Sequence, residues 1–571
     1  MKPSQSLRTL FEITSLAVVV FLTHKILVPA GLALLNADAA VYPITADWIR
    51  SGHWAPFQIN YSYGGNTLTF LRAFWVGIVE MFSHGPDAYL YGHFSFSYYV
   101  APFLVALSFY SLVRTYASQT SAWIVGLVAA LGFHSWIQFL HIEFYSAYLI
   151  LGCLLLILRK GTENPFMELT LPKLFGVSLL SGVAFYTCRA TTIYIVAFFL
   201  PLAWTIAEFK SVLQARSRLE KVALRTAVVM ASLYGYLELF GGDLGRILGH
   251  HVKLHATPNL HIAVLILGVL WFSRRYSEIA WSHLVRGSVV LAGFSIGIIP
   301  EFLYWGKAGQ LPPLTGGGNY SFQDTFTAVG RIPISLRGIF SATDSATGPV
   351  TGTFAANASL ILLLLIGITI FQVLRESSKK RAALTPVFFA GFLALFAYVR
   401  VMTYDLAPAR YLLPVFPVLL IGLALLLDRA RGKKFYWVLM GLLLIHCGDQ
   451  LQARAAFVSK AVNSGDEAAT LDLVKRFQTE HLDYVIAQDY WDGNRMTVAA
   501  HWKPFFVPLN STWTLPESVS IAQNTPRVGV MLNAEPRLTD GHMDILGRSR
   551  LMIPIGQLRG KFLFIATYTD H

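Results

Sequence analysis

A chain of 571 residues with 54% hydrophobic and only 13% charged side chains lies far from the soluble average of about 25% charged, and its mean hydropathy of +0.52 excludes an ordinary soluble fold. The formal charge of +13 does not point to nucleic acid, because Lys and Arg fall in short clusters between apolar runs, the pattern of loops held on the cytoplasmic side of a membrane. The three cysteines, Cys153, Cys188 and Cys447, lie in or beside apolar runs with no metal-site or disulfide spacing and read as packing residues.

The amino terminus, MKPSQSLRTLFEITSLAVVVFLTHKILVPAGLALL, is basic and then apolar, without a small-residue cleavage site soon after a short apolar core. It reads as an uncleaved first span. A window of about 20 mostly apolar residues gives about 13 transmembrane helices, centred near Val20, Leu104, Val128, Leu151, Leu180, Ala197, Met230, Ile266, Gly293, Leu363, Leu393, Leu419 and Gly441. With the amino terminus inside, the basic clusters at 159–160, 210–225, 274–275, 375–381 and 429–434 fall on the cytoplasmic side. An odd count then puts the carboxyl terminus outside.

The outer connections are the longer ones. The first extracytoplasmic loop runs over about 36–90, and within it LTFLRAFWVGIVEMF, carrying Arg72 and Glu80, reads as a helix lying in the membrane interface. A second connection runs from His134 to Tyr145. The loop over about 306–350 contains QLPPLTGGGNYSFQDTF, whose composition permits movement. It reads equally as a lid over a lipid substrate or as an ordinary mobile connection. From about Ala455 the pattern turns soluble: GDEAATLDLVKRFQTEH has helical spacing, and DYVIAQ, RVGVMLN and GKFLFIATY read as strands. The expected architecture is an all-α polytopic membrane domain over 1–454 followed by a small α/β extracytoplasmic domain over 455–571.

Asp38 stands at the mouth of the first span, where a carboxylate is expensive unless water, a cation or a partner attends it. It reads as a catalytic base, against a helix cap or a solvated boundary charge. Asp47 follows nine residues later with Pro43 between, so one straight helix face does not present both; a structural role is favoured for it over positioning an acceptor. Tyr63, Gly64, Gly65 and Asn66 combine a tight backbone path with aromatic faces and an amide, which suits a sugar ring, although an interfacial aromatic belt explains the tyrosines almost as well. In FHSWIQFLHIEFYSAY, His141 is a further substrate-contact candidate. Glu143, the acid of that connection, reads as a second carboxylate that binds a cation or positions an acceptor, or as an interfacial acid paired with a histidine.

Arg189 and Arg410 interrupt outer boundaries that the positive-inside bias disfavours. A phosphate partner explains them, since the planar guanidinium holds phosphate oxygens bidentately; a structural ion pair with an acid such as Asp405, or snorkelling to headgroups, is the alternative. The histidines His250, His251 and His255 match no closed metal site. A divalent metal is therefore unsupported by spacing, and no cofactor is assigned. No P-loop or Gly-rich nucleotide fingerprint is present.

Several separated segments share one resemblance. NADAAVYPITADWIRSGHWAPFQINYSYGGN resembles the first periplasmic loop of polytopic bacterial glycosyltransferases of the GT-C superfamily, related to aminoarabinose transferases and protein O-mannosyltransferases. SGVAFYTCRATTIYIVAFFLP, ARYLLPVFPVLLI and HLDYVIAQDYWDGNRMTVAA are similar to further stretches of that superfamily, and they bring in Arg189, Arg410, Tyr411, Pro414, Asp489, Tyr490 and Trp491. Where the family often has an Asp-Glu pair, Ala39 follows Asp38. The resemblance implies a GT-C fold in the bacterial inner membrane, an inverting transfer from a polyprenyl-phosphate sugar to the hydroxyl of a glycan, lipid or protein acceptor, Asp38 as base, and Arg410 with Arg189 on the donor phosphate. Rival expectations are a transporter or flippase of lipid-linked sugars and a glycan ligase or polymerase using a diphosphate-linked donor.

Overall fold

The computed structural model describes residues 5–35, 37–52, 66–131, 143–159, 168–187, 191–199, 222, 225–226, 229, 243–247, 250–253, 281–308, 329–333, 335–336, 340, 343–344, 348–349, 353–376, 384–395, 409–509 and 516–568. Helices dominate up to Asn463, and a mixed sheet follows. Helix α1 (Gln5–His24) continues through one tighter turn, Lys25–Leu27. A single helical turn, Gly31–Leu34, leads to α2 (Ala37–Arg50), α3 (Asn66–Phe82) and α4 (Pro86–Ser95). Through a π-helical turn, Phe96–Val100, α4 runs on into α5 (Ala101–Arg114).

Then come α6 (Gln119–Leu131), α7 (Glu143–Leu158), α8 (Leu171–Thr187), α9 (Thr192–Phe199), α10 (Trp281–Ala308), α11 (Thr353–Arg375) and α12 (Leu384–Leu395). A 3₁₀ segment, Ala409–Val415, precedes α13 (Phe416–Ala430) and α14 (Lys434–Asn463). Among the described residues, 4 helices are long and apolar enough to cross a membrane: Gln5–Leu27, Ala88–Arg114, Asn357–Arg375 and Leu412–Ala430. Shorter apolar helices accompany them. The chain is a multi-pass membrane protein of mostly helical architecture. The expected span centres at Met230 and Ile266 lie outside the described residues, so no count of thirteen is established.

Polar side chains tie the helix ends together. At one end, buried Glu12 of α1 accepts hydrogen bonds from Arg8 (3.0 Å), Gln119 (3.0 Å) and Tyr110. Asp428 of α13 accepts from the Ser118 amide (2.8 Å) and the Ser121 hydroxyl (2.6 Å), while Arg429 pairs with Glu376 beyond α11. At the opposite end, buried Arg454 of α14 donates to the carbonyls of Thr23 (3.0 Å) and Leu131. A cation at the last carbonyls of α1 and α6 satisfies groups that a helix terminus leaves open.

Helices α8 and α10 run parallel at backbone contact. A Cβ at Gly297 would stand 2.5 Å from the Leu179 carbonyl oxygen, and one at Gly182 would stand 2.3 Å from that of Phe294. Gly293 and Gly297 are four apart and face Ser178 and Gly182, also four apart, the small-residue spacing that lets helices approach closely in lipid. The serine hydroxyls are satisfied within α8, Ser178 donating to the Leu174 carbonyl at 2.7 Å and Ser181 to the Val177 carbonyl at 2.8 Å.

Short strand pairs interrupt the helical part: β1 (Asp243–Ile247) with β2 (His250–Lys253), and β3 (Thr343–Asp344) with β4 (Gly348–Pro349). After α14 come α15 (Asp466–Thr479), β5 (Tyr484–Ala487), α16 (Tyr490–Ala499), β6 (Phe505–Pro508), α17 (Pro516–Asn524) and β7 (Arg527–Leu532). Strands β8 (His542–Ile545), β9 (Arg548–Leu558) and β10 (Lys561–Tyr568) complete one sheet of order β6-β5-β7-β10-β9-β8. Its first three strands are parallel and the rest antiparallel. Helices α15 and α16 cover one face through Leu473, Phe477, Met496 and Ala499, and α17 covers the other through Ala522. Helix α14 passes position 455 without a break and ends at Asn463.

Filling the α8–α10 contact tests its role. Gly297→Leu should destabilise the protein by about 1–3 kcal/mol, the usual range for overpacking, read as a lower thermal midpoint in detergent. Gly287→Leu on the same helix, with nothing near its Cβ position, should leave the midpoint unchanged.

Candidate functional site

Pro43 stands between Asp38 and Asp47 in the first loop. The structure makes residues 37–50 a single helix with Pro43 inside. Alanine and the apolar spacing favour helix locally, and packing on two sides supplies what the missing Pro43 amide removes. Ala39, Ala40, Tyr42, Ile44, Ala46 and Ile49 are all buried. Positions 38 and 47, nine residues apart at about 100° per residue, fall on opposite faces about 13 Å apart along the axis. The expectation that one face does not present both therefore holds, through helical phase in place of a loop.

Around α2 the neighbouring elements form a connected set. Helix α3 packs on α2 and also touches α7, α7 packs on α9, and α16 of the sheet domain also packs on α2. Met496 and Ala499 of α16 enter the sheet's core, while Val498 enters the core of the membrane domain. Arg495 donates to the Leu32 carbonyl just before α2 (3.4 Å). Residues 68–82 fall within the helix α3, which exposes apolar side chains, with Phe74 70% and Phe82 84% exposed. On its other face Arg72 is buried and donates to the Ser97 hydroxyl in the π-helical turn, with its guanidinium 5.5 Å from the Phe96 ring centre. Burial lowers Arg72 to about 9, which keeps it charged at neutral pH.

Asp47 sits in an ionic and aromatic cluster. The Tyr89 hydroxyl donates to its carboxylate. Arg50 lies 5.2 Å from the centre of the Tyr89 ring and forms a two-point ion pair with Glu80 of α3, one arm at 3.1 Å. Tyr89 meets His93 edge-on at 4.6 Å and Trp502, beyond α16, at 4.9 Å. The sequence showed Arg50 and Glu80 as charges and gave no sign of Tyr89 or Trp502 as partners. Only the fold brings the two aromatic residues together, across more than four hundred positions.

The backbone is described at Asp38, Asn66, Glu143, Arg410 and Tyr411, in α2, α3, α7 and the 3₁₀ segment, and their side chains lie outside the description. Tyr63, Gly64, Gly65, His141 and Arg189 lie outside the described residues altogether. The segments that follow the two arginines do meet. Tyr194 of α9 donates to the Pro414 carbonyl at 3.4 Å, and Arg189 and Arg410 stand a few residues upstream of those two positions. In the loop expected to be mobile, Phe340 is buried, stacks on His446 of α14 at 4.8 Å, and accepts a hydrogen bond from Gln450 at 3.2 Å. That end of the loop is anchored, and its Pro-Pro and triple-glycine stretch lies outside the described residues. Among the described residues no cluster of His, Cys, Asp and Glu is arranged to hold a metal ion.

No family model matches the chain, and no curated protein matches it. Solved structures of similar shape include ArnT from Cupriavidus metallidurans in the apo state, at 11% identity with 98% of each chain covered and a TM-score of 0.47. The archaeal oligosaccharyltransferase AglB from Archaeoglobus fulgidus, in complex with an inhibitory peptide and a dolichol-phosphate, is similar at 14% identity over 92% of this chain and 69% of that one, with a TM-score of 0.44. Both are GT-C glycosyltransferases, the superfamily that the sequence motifs resemble. At these identities and TM-scores the likeness carries no argument, and the functional reading rests on the residues of this chain.

Burial raises the Asp47 carboxyl above its ordinary 3.8, against the opposing pull of Tyr89 and Arg50. A raised value in the folded state gives stability that is complete below the ordinary value and lost as pH climbs through the raised one. The thermal midpoint should therefore fall less steeply for Asp47→Asn than for wild type between about pH 4 and pH 7, with a difference of about 1 kcal/mol or less for this half-buried, screened group. Parallel melts of the two reconstituted proteins check it.

Proposed function

We propose that the chain is an inverting GT-C-type membrane glycosyltransferase, moving one sugar from a polyprenyl-phosphate donor to an acceptor hydroxyl on the outer face of a bacterial inner membrane. The observation that carries the proposal is the place of position 38. It is the second residue of α2, a short turn beyond the end of the span Gln5–Leu27, in a helix that the sheet domain packs against. A lipid-linked donor reaches that level from within the bilayer, and a polar acceptor reaches it from outside. The amino-terminal end of a helix also favours negative charge, which suits a carboxylate that must be ionised to accept a proton.

In this reaction the acceptor oxygen attacks the anomeric carbon from the face opposite the phosphate. A bond forms between that oxygen and the carbon, the carbon–phosphate oxygen bond breaks, and Asp38 takes the hydroxyl proton. The polyprenyl phosphate leaves with the electron pair. Arg410, with Arg189, neutralises the charge that grows on it; the contact between Tyr194 and Pro414 supports a common location for the two segments. Glu143 at the head of α7 and the turn Tyr63 to Asn66 with His141 and Tyr411 are proposed to hold acceptor and sugar. Since a phosphate ester leaves readily once neutralised, the reaction requires no nucleotide site.

Asp38→Asn should lower kcat by about 10²- to 10⁴-fold, the range for losing general-base assistance, in purified protein reconstituted with a panel of undecaprenyl-phosphate sugars. A folded Asn variant that transfers at the wild-type rate removes Asp38 from the base role. Arg410→Ala should cost about 10²- to 10³-fold, with the loss tied to the donor; an unchanged donor dependence takes Arg410 off the phosphate.

A further inference from the structure

The sheet domain grips α2 near both ends. Before the helix begins, Arg495 of α16 donates to the Leu32 carbonyl (3.4 Å). Toward its far end the grip passes through Trp502. This residue packs at 76° against Tyr89 (4.9 Å) and at 5.7 Å against His93 of α4, and Tyr89 donates to Asp47 and lies beneath Arg50, both on α2. Between these points Val498 is fully buried in the core of the membrane domain.

The turn that presents Trp502 has an unusual backbone. His501 and Trp502 have φ values of +51° and +64°, in the left-handed region that bulky L residues adopt only at a cost. Such conformations persist where surrounding contacts over-determine them. Neither core of the sheet includes Trp502; its ring packs instead against the core of the membrane domain. The turn closes the end of α16, the Trp502 amide donating to the Thr497 carbonyl at 3.0 Å, and it carries the Trp502 ring out to the contact with α4.

We infer that Trp502 is a positioning residue. Seated on Tyr89 and His93, it makes the sheet domain a clamp that sets the height and rotation of α2, and with it position 38, at the membrane boundary. Helix α2 has 14 residues and an internal proline, and isolated helices shorter than about 12–15 residues are marginal, so its orientation comes from what grips it. The activity arm of the test rests on the proposed glycosyl transfer, whereas the exchange arm does not.

The experiment compares wild type, Trp502→Ala, Trp502→Phe and Arg495→Ala as full-length protein in lipid nanodiscs. Hydrogen exchange is followed in peptides covering 37–50, with peptides from α6 and β7 as references. Trp502→Ala should speed exchange in α2 by about tenfold or more while α6 and β7 keep their protection, and Trp502→Phe, which retains an aromatic face, should restore most of it. With an undecaprenyl-phosphate sugar that the wild type uses, Trp502→Ala should lower kcat by about 10²-fold, the effect of misplacing a catalytic group by about 1 Å, and leave the donor KM within about twofold. Unchanged α2 exchange in Trp502→Ala overturns the inference whatever the activity. If that variant loses protection everywhere, Arg495→Ala is read in its place, and unchanged α2 exchange there overturns it equally. A wild type that transfers no sugar, with α2 exchange still governed by Trp502, defeats the glycosyltransferase reading and leaves the clamp standing.

Discussion

The end of the bundle that carries α2 depends on the burial of α16 on both faces. One face of that helix closes the core under the parallel strands, with Met496 and Ala499, and the other delivers Val498 to the core of the membrane domain. A helix shared in this way cannot shift against either neighbour without opening apolar surface, at about 25 cal/mol per Å². The sheet domain is thus fixed to α2 by the same burial that folds it, whereas a domain joined by α14 alone would be free to swing about Asn463.

The two ends of the bundle are joined by different sets of side chains. At the end with Glu12 and Asp428, carboxylates accept several hydrogen bonds each and join α1, α5, α6 and α13. At the end that holds α2, the Arg50–Glu80 ion pair and the Tyr89–Asp47 hydrogen bond stand beside aromatic contacts around Tyr89 and Trp502 and arginines on backbone carbonyls. Hydrogen-bonded charge fixes distance and direction, and edge-on aromatic contacts of about 5 Å add burial with a preferred geometry.

Much of this was legible in the sequence where one physical signal dominates. Length and hydropathy mark the spans around Val20, Leu104, Leu363 and Leu419, and short apolar runs rich in β-branched and aromatic residues mark β5, β7 and β10. The helix over 37–50 was not read from the first loop, because Pro43 weighs against it in local propensity and the packing of α3 and α16 on α2 is non-local. Strand β6 was missed because FFVP is short and bounded by prolines, and it pairs in parallel with β5 only after α16 has crossed over. For the site, the acid after the first span was visible, whereas its support was not: Tyr89 and Trp502 carry no motif and gain meaning from one contact between distant segments.

That contrast follows from what a site at a membrane boundary needs. A carboxylate there must be held at one depth, since a short displacement moves it between headgroups, where water supports its charge, and hydrocarbon, where an isolated charge is costly. A single helix turn beyond the span does not supply that control, because α2 is short and broken by Pro43. Two separate contacts on the helix would, and they come from parts of the chain that fold for other reasons: α3, which exposes apolar side chains, and α16, anchored in its own sheet. The residues that hold α2 are consequently scattered through the sequence, whereas the acid at position 38 on that helix stands in view directly after the first apolar run.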